Sequence, residues 1–449
     1  MRRRDFLAAA AAAPSAGANI AADRHRPQYH FLPPKNWMND PNGPIWWKGR
    51  HHLFYQHNPN GAFWGDMHWG HASSPDLLHW THLPIALAPT PGGPDKDGVF
   101  TGCAVVHENK PTLIYTGVQP EVQCIATSED RMIEWKKHPA NPIIAAPPAG
   151  LQVTGFRDPC VWKQDGTWWM VIGAGFKGIG GTALLYRSDD LVRWIYLHPL
   201  YTGKLDPNAK AKGAVATGEM WECPEFFPLG RKWVLIVSAK GTTPYFVGEY
   251  RGLKFEPESE GVIDAGAYYA PKSYLDNRGR RILWGWIQER RSREAQIAAG
   301  WSGVMSLARV LTLDSQARLE MEPAPEYRKL RAGHATSGDS LELEAVFELT
   351  GTDDVGLTVA QTRIAYRLNE RRLVAGPNST LLALDPGEKL RLRVFVDGSV
   401  IEVFANRRAP ITVRHYPDAG QAVSVSAIGR PFSFESWRMK SISKDRLTS

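Results

Sequence analysis

Recurring pairs of short apolar strands along residues 36–287 predict an all-β chain, a five-bladed β-propeller followed by a C-terminal β-sandwich. Three observations carry that expectation. The segments "SPDLLHW" (74–80), "SEDRMIEW" (128–135) and "SDDLVRW" (188–194) repeat a polar turn closed by tryptophan, and Trp80, Trp135 and Trp194 fall 55 and 59 residues apart. A turn-led apolar strand recurs five times, as "GRHHLFYQ", "NKPTLIYTG", "GTWWMVIGAG", "RKWVLIVSA" and "GRRILWGWI". Towards the C-terminus, "KLRLRVFVDGSVIEVFAN" (389–406) alternates apolar and polar residues on both sides of Asp397-Gly398, a hairpin pattern.

Residues 1–22 begin Arg2-Arg3-Arg4-Asp5-Phe6-Leu7 and continue into a weakly apolar alanine run, as a twin-arginine export signal does. An exported protein is expected, with cleavage after Ala18 or Ala22. The propeller is assigned to 23–315. Ahead of each apolar strand lies another short one: "NDPNGPIWW", "GVFTGCAVV", "FRDPCVWK", "WECPEFFPL" and "YYAPKSYLD". These are the expected innermost strands of the blades. The periodicity breaks in "DSQARLEMEPAPEYRKLRAGHATSGDS", so 316–338 is read as a linker. Residues 339–449 carry "LELEAVFEL", "TRIAYRLN", "ITVRHYP" and "AVSVSAIG", the strands of a second all-β unit.

Composition narrows the function. Of the net charge of +7, about +5 remains without the leader, and the basic residues are scattered apart from "ERRSR" and "NERR", which speaks against nucleic-acid binding. Outside the leader no stretch approaches the roughly 18 apolar residues that cross a bilayer, so no membrane insertion is expected. The four cysteines lack CxxC spacing and no HExxH occurs; neither a metal nor an organic cofactor is expected. "GAGFKG" (173–178) fits a dinucleotide fingerprint, but another strand follows it where a helix is required. Seventeen tryptophans suit surfaces on which a sugar ring stacks.

If the first strand of each blade lines the central channel, Asp40, Thr101, Asp158, Glu222 and Tyr269 converge at one end of it. Each acidic motif alone has a plain structural reading, as a turn, an Arg157–Asp158 ion pair or a solvent-facing strand residue. Three carboxylates at equivalent places of three repeats suit glycosidic cleavage, where one group attacks or activates water and another protonates the leaving oxygen.

The residues also match a known family. From "RPQYHFLPPKNWMNDPNG" through "HLFYQHNPNGAFWGDMHWGHASSPDLLHW", "FRDP", "WECPEFFPL", "YYAPKSYLDNRGRRILWGW" and "GWSGVMSLARVLTL" to "LRVFVDGSVIEVFAN", the chain resembles glycoside hydrolase family 32, the β-fructofuranosidases. The resemblance implies Asp40 as nucleophile, Glu222 as general acid/base and Asp158 as transition-state stabiliser beside Arg157. It implies a fructosyl pocket lined by Asn39, Gln56, Trp64, Phe100, Thr101, Tyr269 and Trp286. Sucrose or a fructan is the implied substrate; the alternatives are fructosyl transfer in place of hydrolysis and a non-catalytic glycan-binding propeller. The usual F-S-G reads "FTG" here, the usual W-E-C-P-D reads "WECPE", and "VGEYRGLKFEPE" lacks the acid–lysine spacing that some plant invertases direct at sucrose.

Overall fold

The computed structural model describes residues 19–129, 131–205, 218–351, 353–418, 420–421 and 423–449. Most of the expected leader lies outside these; Ile20–Ala22 form a 3-10 turn, with Ile20 against the largest core cluster. Five sheets, antiparallel apart from one short parallel pairing, build the first unit, and their blade-leading strands are Asn36–Trp47, Val99–His107, Val153–Gln164, Glu222–Leu229 and Tyr268–Leu275. Each packs against the innermost strands of its neighbours, and the fifth returns to the first, closing the five-bladed propeller.

The repeated Trp motif is the turn between the third and fourth strands of a blade. In blade one Asp76 Oδ1 accepts the Leu78 and His79 N–H groups, and Trp80 Nε1 donates to the Leu77 carbonyl. Asp190, Leu191 and Trp194 repeat this in blade three. Most of the tryptophan content goes to packing: Trp69, Trp221, Trp284 and Trp301 are fully buried. The sequence "GAGFKG" ends one strand of a hairpin, Thr167–Phe176 with Gly180–Ser188, which leaves no dinucleotide helix.

The ring closes in an unexpected way. After two strands of blade five the chain runs through the helix Arg293–Ala299, and Trp301–Ser302 pairs parallel to Asn36–Trp37 of blade one. It then returns to finish blade five with Arg309–Leu313 and Leu319–Pro323. Gly303 makes the crossing possible: a Cβ there would stand 1.9 Å from the Met38 carbonyl oxygen.

The expected linker 316–338 is therefore corrected. It holds the last strand of blade five, the 3-10 turn Pro325–Leu330 and the strand Arg331–His334, which edges a sheet of the second unit. The polar, proline-broken sequence reflects edge strands and a turn. That second unit is a sandwich of six- and five-stranded sheets. Leu390–Asp397 and Val400–Ala405 form the expected hairpin, with Gly398 at φ 55° in the two-residue loop. The largest core cluster joins the units, running from Tyr29, Phe31 and Trp284 to Phe395, Val400 and Phe404.

Candidate active site

Every innermost strand carries a bulge near its start. The pairing slips across Met38–Pro41, Phe100–Gly102, Glu222–Glu225 and Tyr269–Lys272, and opposite Asp158-Pro159 in blade three. Proline has no N–H for the ladder, and an X-Pro pair sits at this place in four blades: Asp40-Pro41, Asp158-Pro159, Cys223-Pro224 and Ala270-Pro271. Blade two uses Thr101-Gly102, where a Cβ on Gly102 would meet the Ile114 carbonyl oxygen at 2.0 Å. Asp158, Cys223 and Ala270 take φ of 66°, 48° and 51°, a conformation that costs a non-glycine residue on the order of 1–3 kcal/mol and is usually kept where it aims a functional group.

The bulge alignment corrects one expectation. Asp40, Thr101, Asp158, Cys223 and Ala270 are equivalent, and Glu222 stands one residue earlier, in a second ring with Asn39, Phe100, Arg157 and Tyr269. The carboxylates thus come from two layers. Cys223 links the two aspartates: its N–H donates to Asp158 Oδ2 (2.9 Å), and its thiol lies 3.4 Å from Asp40 Oδ2 and 3.5 Å from Asp158 Oδ2.

Asp40 accepts Asn39 Nδ2 on one oxygen (2.9 Å) and Thr101 Oγ1 on the other (2.7 Å), so the "FTG" departure keeps its hydroxyl in use. Asn39 is oriented by Trp37 Nε1, which donates to its amide oxygen (2.7 Å). Glu222 accepts Arg157 (2.8 Å) and the Tyr269 hydroxyl (2.5 Å). Arg157 also pairs with Glu121 (2.7 Å). Asp158 N–H donates to Thr116 Oγ1 (2.9 Å).

Burial raises the Asp40 carboxyl, Glu222's charge adds to the rise, and the Thr101 and Asn39 hydrogen bonds oppose it. Asp158 is pushed up to about 7 by burial and by the charges of Glu222 and Asp40, against Arg157 and Lys272. The resemblance gives the donated proton to Glu222; Asp158 is a further carboxyl raised towards holding one.

The remaining expected residues divide. Trp64 is 60% exposed and stands edge-on to Phe100 at 6.3 Å, a free aromatic face at the mouth. Trp286 is the cross-strand neighbour of Tyr269 and packs against Trp37. Gln56 is buried, and its amide donates to the Val99 carbonyl (2.9 Å), a brace between blades one and two. Glu121, Thr116 and Cys223 escaped sequence reasoning; only Cys223 had a signal, the recurrent X-Pro.

Below the carboxylates, Glu225 and Lys272 form a buried ion pair (3.3 Å). Glu225, which replaces the family's Asp, also accepts the Ser273 N–H and hydroxyl. His51, His52 and His71 of blade one are structural: His51 meets Tyr274, His52 meets His71, and burial lowers all three imidazoles. Among the described residues no group of three or more His, Cys, Asp or Glu could hold a metal. All four cysteines are buried free thiols.

Comparison with known proteins decides the family. The model of the glycosyl hydrolases family 32 N-terminal domain matches residues 30–323, and that of the family 32 C-terminal domain matches 311–441. The chain belongs to glycoside hydrolase family 32. A sucrose-6-phosphate hydrolase of Escherichia coli is 36% identical over 87% of this chain and 89% of its own. An insoluble β-fructofuranosidase isoenzyme of Oryza sativa subsp. japonica is 38% identical over 75% of this chain and 61% of its own. The crystal structure of fructan 1-exohydrolase IIa from Cichorium intybus superposes with a TM-score of 0.84 at 28% identity, over 93% of this chain and 98% of the other. This family 32 chain is a glycosidase on a propeller-plus-sandwich scaffold.

Proposed function

We propose that the enzyme is a retaining exo-β-fructofuranosidase that releases terminal non-reducing β-D-fructofuranosyl units from sucrose or from fructans such as inulin and levan. The observation that carries the reading is the meeting of Asp40, Asp158 and Glu222 at one end of the channel, joined through Cys223 and Arg157. Asp40 attacks the anomeric carbon as its bond to the leaving oxygen breaks, and Glu222 gives that oxygen a proton. Water then attacks the fructosyl–Asp40 ester while Glu222 takes the proton back. Asp158 accepts hydrogen bonds from ring hydroxyls, which favours its charged form beside the developing oxocarbenium ion. Trp64 and Phe100 offer aromatic faces to the sugar.

Incubation with sucrose, inulin and levan, followed by identification of the released sugars, tests substrate and mode together. Free fructose as the first product is expected; oligosaccharides longer than the substrate would mark transfer. NMR at early conversion should show β-fructose, and initial release of the α-anomer would mean an inverting mechanism.

The Arg3-Arg4-Asp5-Phe6-Leu7 stretch supports export through the twin-arginine route. The packing of Ile20 against the core favours cleavage after Ala18. N-terminal sequencing of the exported protein tests both, and retention in the cytoplasm would refute the export reading.

A further inference from the structure

The Arg157 guanidinium is shared by two carboxylates of opposite standing. One terminal nitrogen donates to Glu222 Oε1 (2.8 Å) and the other to Glu121 Oε1 (2.7 Å). Glu121 belongs to the turn between Lys110–Gly117 and Val122–Ser128 of blade two, and its second oxygen accepts the Phe156 N–H at 2.5 Å. Glu121 is thereby fixed to the backbone beside the arginine it holds. The Glu222 carboxylate is held differently: among the described residues its donors are side chains, Arg157 and Tyr269.

This arrangement poses a chemical problem. A general acid must carry a proton, and a guanidinium on a carboxylate favours the form without one. The Arg157 partner matches the ionised carboxylate that serves as base in the second half-reaction, whereas the acid of the first must carry a proton. The groups around Glu222 are Arg157 and Asp158 of blade three, Tyr269 of blade five, Asp40 of blade one and Cys223 beside it; around Arg157 they are Asp158, Glu222 and Glu121. Glu121 alone among these contributes a charge to Arg157 from outside the ring of innermost strands.

We propose that Glu121 is a positioning residue that retains the Arg157 guanidinium when a fructosyl unit enters, drawing it off Glu222 so that Glu222 takes up the proton it will donate. The proton comes from solvent, to which the Glu222 side chain is 32% exposed. When the leaving sugar departs with that proton, Arg157 returns to the ionised Glu222, which then serves as base. The proposal rests on the reading of Glu222 as the acid/base.

The test compares Glu121→Gln, Glu121→Asp and Glu222→Gln across pH 4–8, on sucrose and on p-nitrophenyl β-D-fructofuranoside, whose nitrophenolate leaves without a proton. In Glu121→Gln the Arg157–Glu222 pair tightens in the free enzyme. The alkaline limb of kcat/KM on sucrose should move down by about one pH unit, with about a tenfold loss on that limb. On the aryl fructoside kcat/KM should stay within about twofold, since the acid is idle there. Glu121→Asp keeps the charge, so its limb should stay in place with a smaller loss confined to sucrose. Equal losses on both substrates with an unmoved limb would reduce Glu121 to a packing role and overturn the proposal, as would no loss on either. If Glu121→Gln shows no cooperative unfolding transition, the Asp variant decides by the same two-substrate ratio. Survival of sucrose turnover in Glu222→Gln would instead sink the acid assignment itself.

Discussion

Two places in the molecule bury clustered acids beside arginine, and they treat charge in opposite ways. Between propeller and sandwich, Asp397 accepts the N–H groups of Gln28, Tyr29 and His30 and the His30 imidazole. Glu402 accepts the other imidazole nitrogen (3.0 Å), the Leu307 N–H and Arg309, and Arg309 also pairs with Asp264 (2.8 Å). Every acid there has a cation or several backbone donors, and the Glu402 carboxyl lies below its usual range despite complete burial, with Arg309 and His30 as the opposing causes. In the channel mouth, Asp40, Asp158 and Glu222 share Arg157 and a few neutral donors, and Asp40 and Asp158 rise. The lesson is that burial does not set a carboxyl's behaviour; the ratio of donors and cations to acids does. One cluster is complete and holds two units together, whereas the other is kept short of positive charge and so exchanges protons.

The largest effect separating the two is on turnover. Asp40→Asn and Glu222→Gln should each lower kcat on sucrose by well over ~100-fold without lowering the denaturation midpoint, as steady-state kinetics and urea unfolding will report. A midpoint lowered as far as that of an interface variant would erase the distinction. Next comes Asp397→Asn, which leaves His30 and three N–H donors without a full charge and should destabilise by about 3–5 kcal/mol in the same unfolding measurement.

The third comparison uses pH. His30, held by Asp397 and Glu402, is raised from 6.5 to about 9 in spite of its burial. Its contribution is complete below pH 6.5 and is lost as pH rises through 9. The stability gap between the native chain and His30→Gln should therefore shrink by about 2–3 kcal/mol between pH 6 and 10. The fourth effect has the opposite sign. Asp158, raised from 3.8 to about 7, weakens the fold as pH climbs from 4 to 7, so Asp158→Asn should match the native chain in stability near pH 4 and exceed it at pH 8. A variant less stable at pH 8 would mean that Arg157 outweighs the two neighbouring carboxylates.

Much of this was legible in the sequence, because blades repeat. Period-two strands and the Asp–Trp turn mark each blade with local chemistry, and Asp40 and Asp158 announce themselves beside proline. What stayed hidden depends on register. Glu222 looks equivalent to Asp40 until the bulges show Cys223 in that place, and a one-residue offset in a strand exchanges its two faces. Glu121 and Thr116 were beyond reach for another reason: both act across a blade boundary on residues far along the chain. The strands of 316–338 were missed because edge strands carry polar and proline residues, as linkers do.

The crossing at Trp301–Ser302 sets the order of assembly. Blade one gains its inner neighbour only after the chain has laid down four blades and half of the fifth, and the segment at Gln28–His30 is anchored by Asp397, 367 residues from His30. A growing chain therefore holds its first strand open at one side through most of synthesis and closes the ring with late segments. Contacts of such separation make folding slow and leave strand edges unsealed meanwhile. The channel mouth, built from all five blades, comes into being only with that closure, so a chain that stops short of it has every carboxylate and no catalyst.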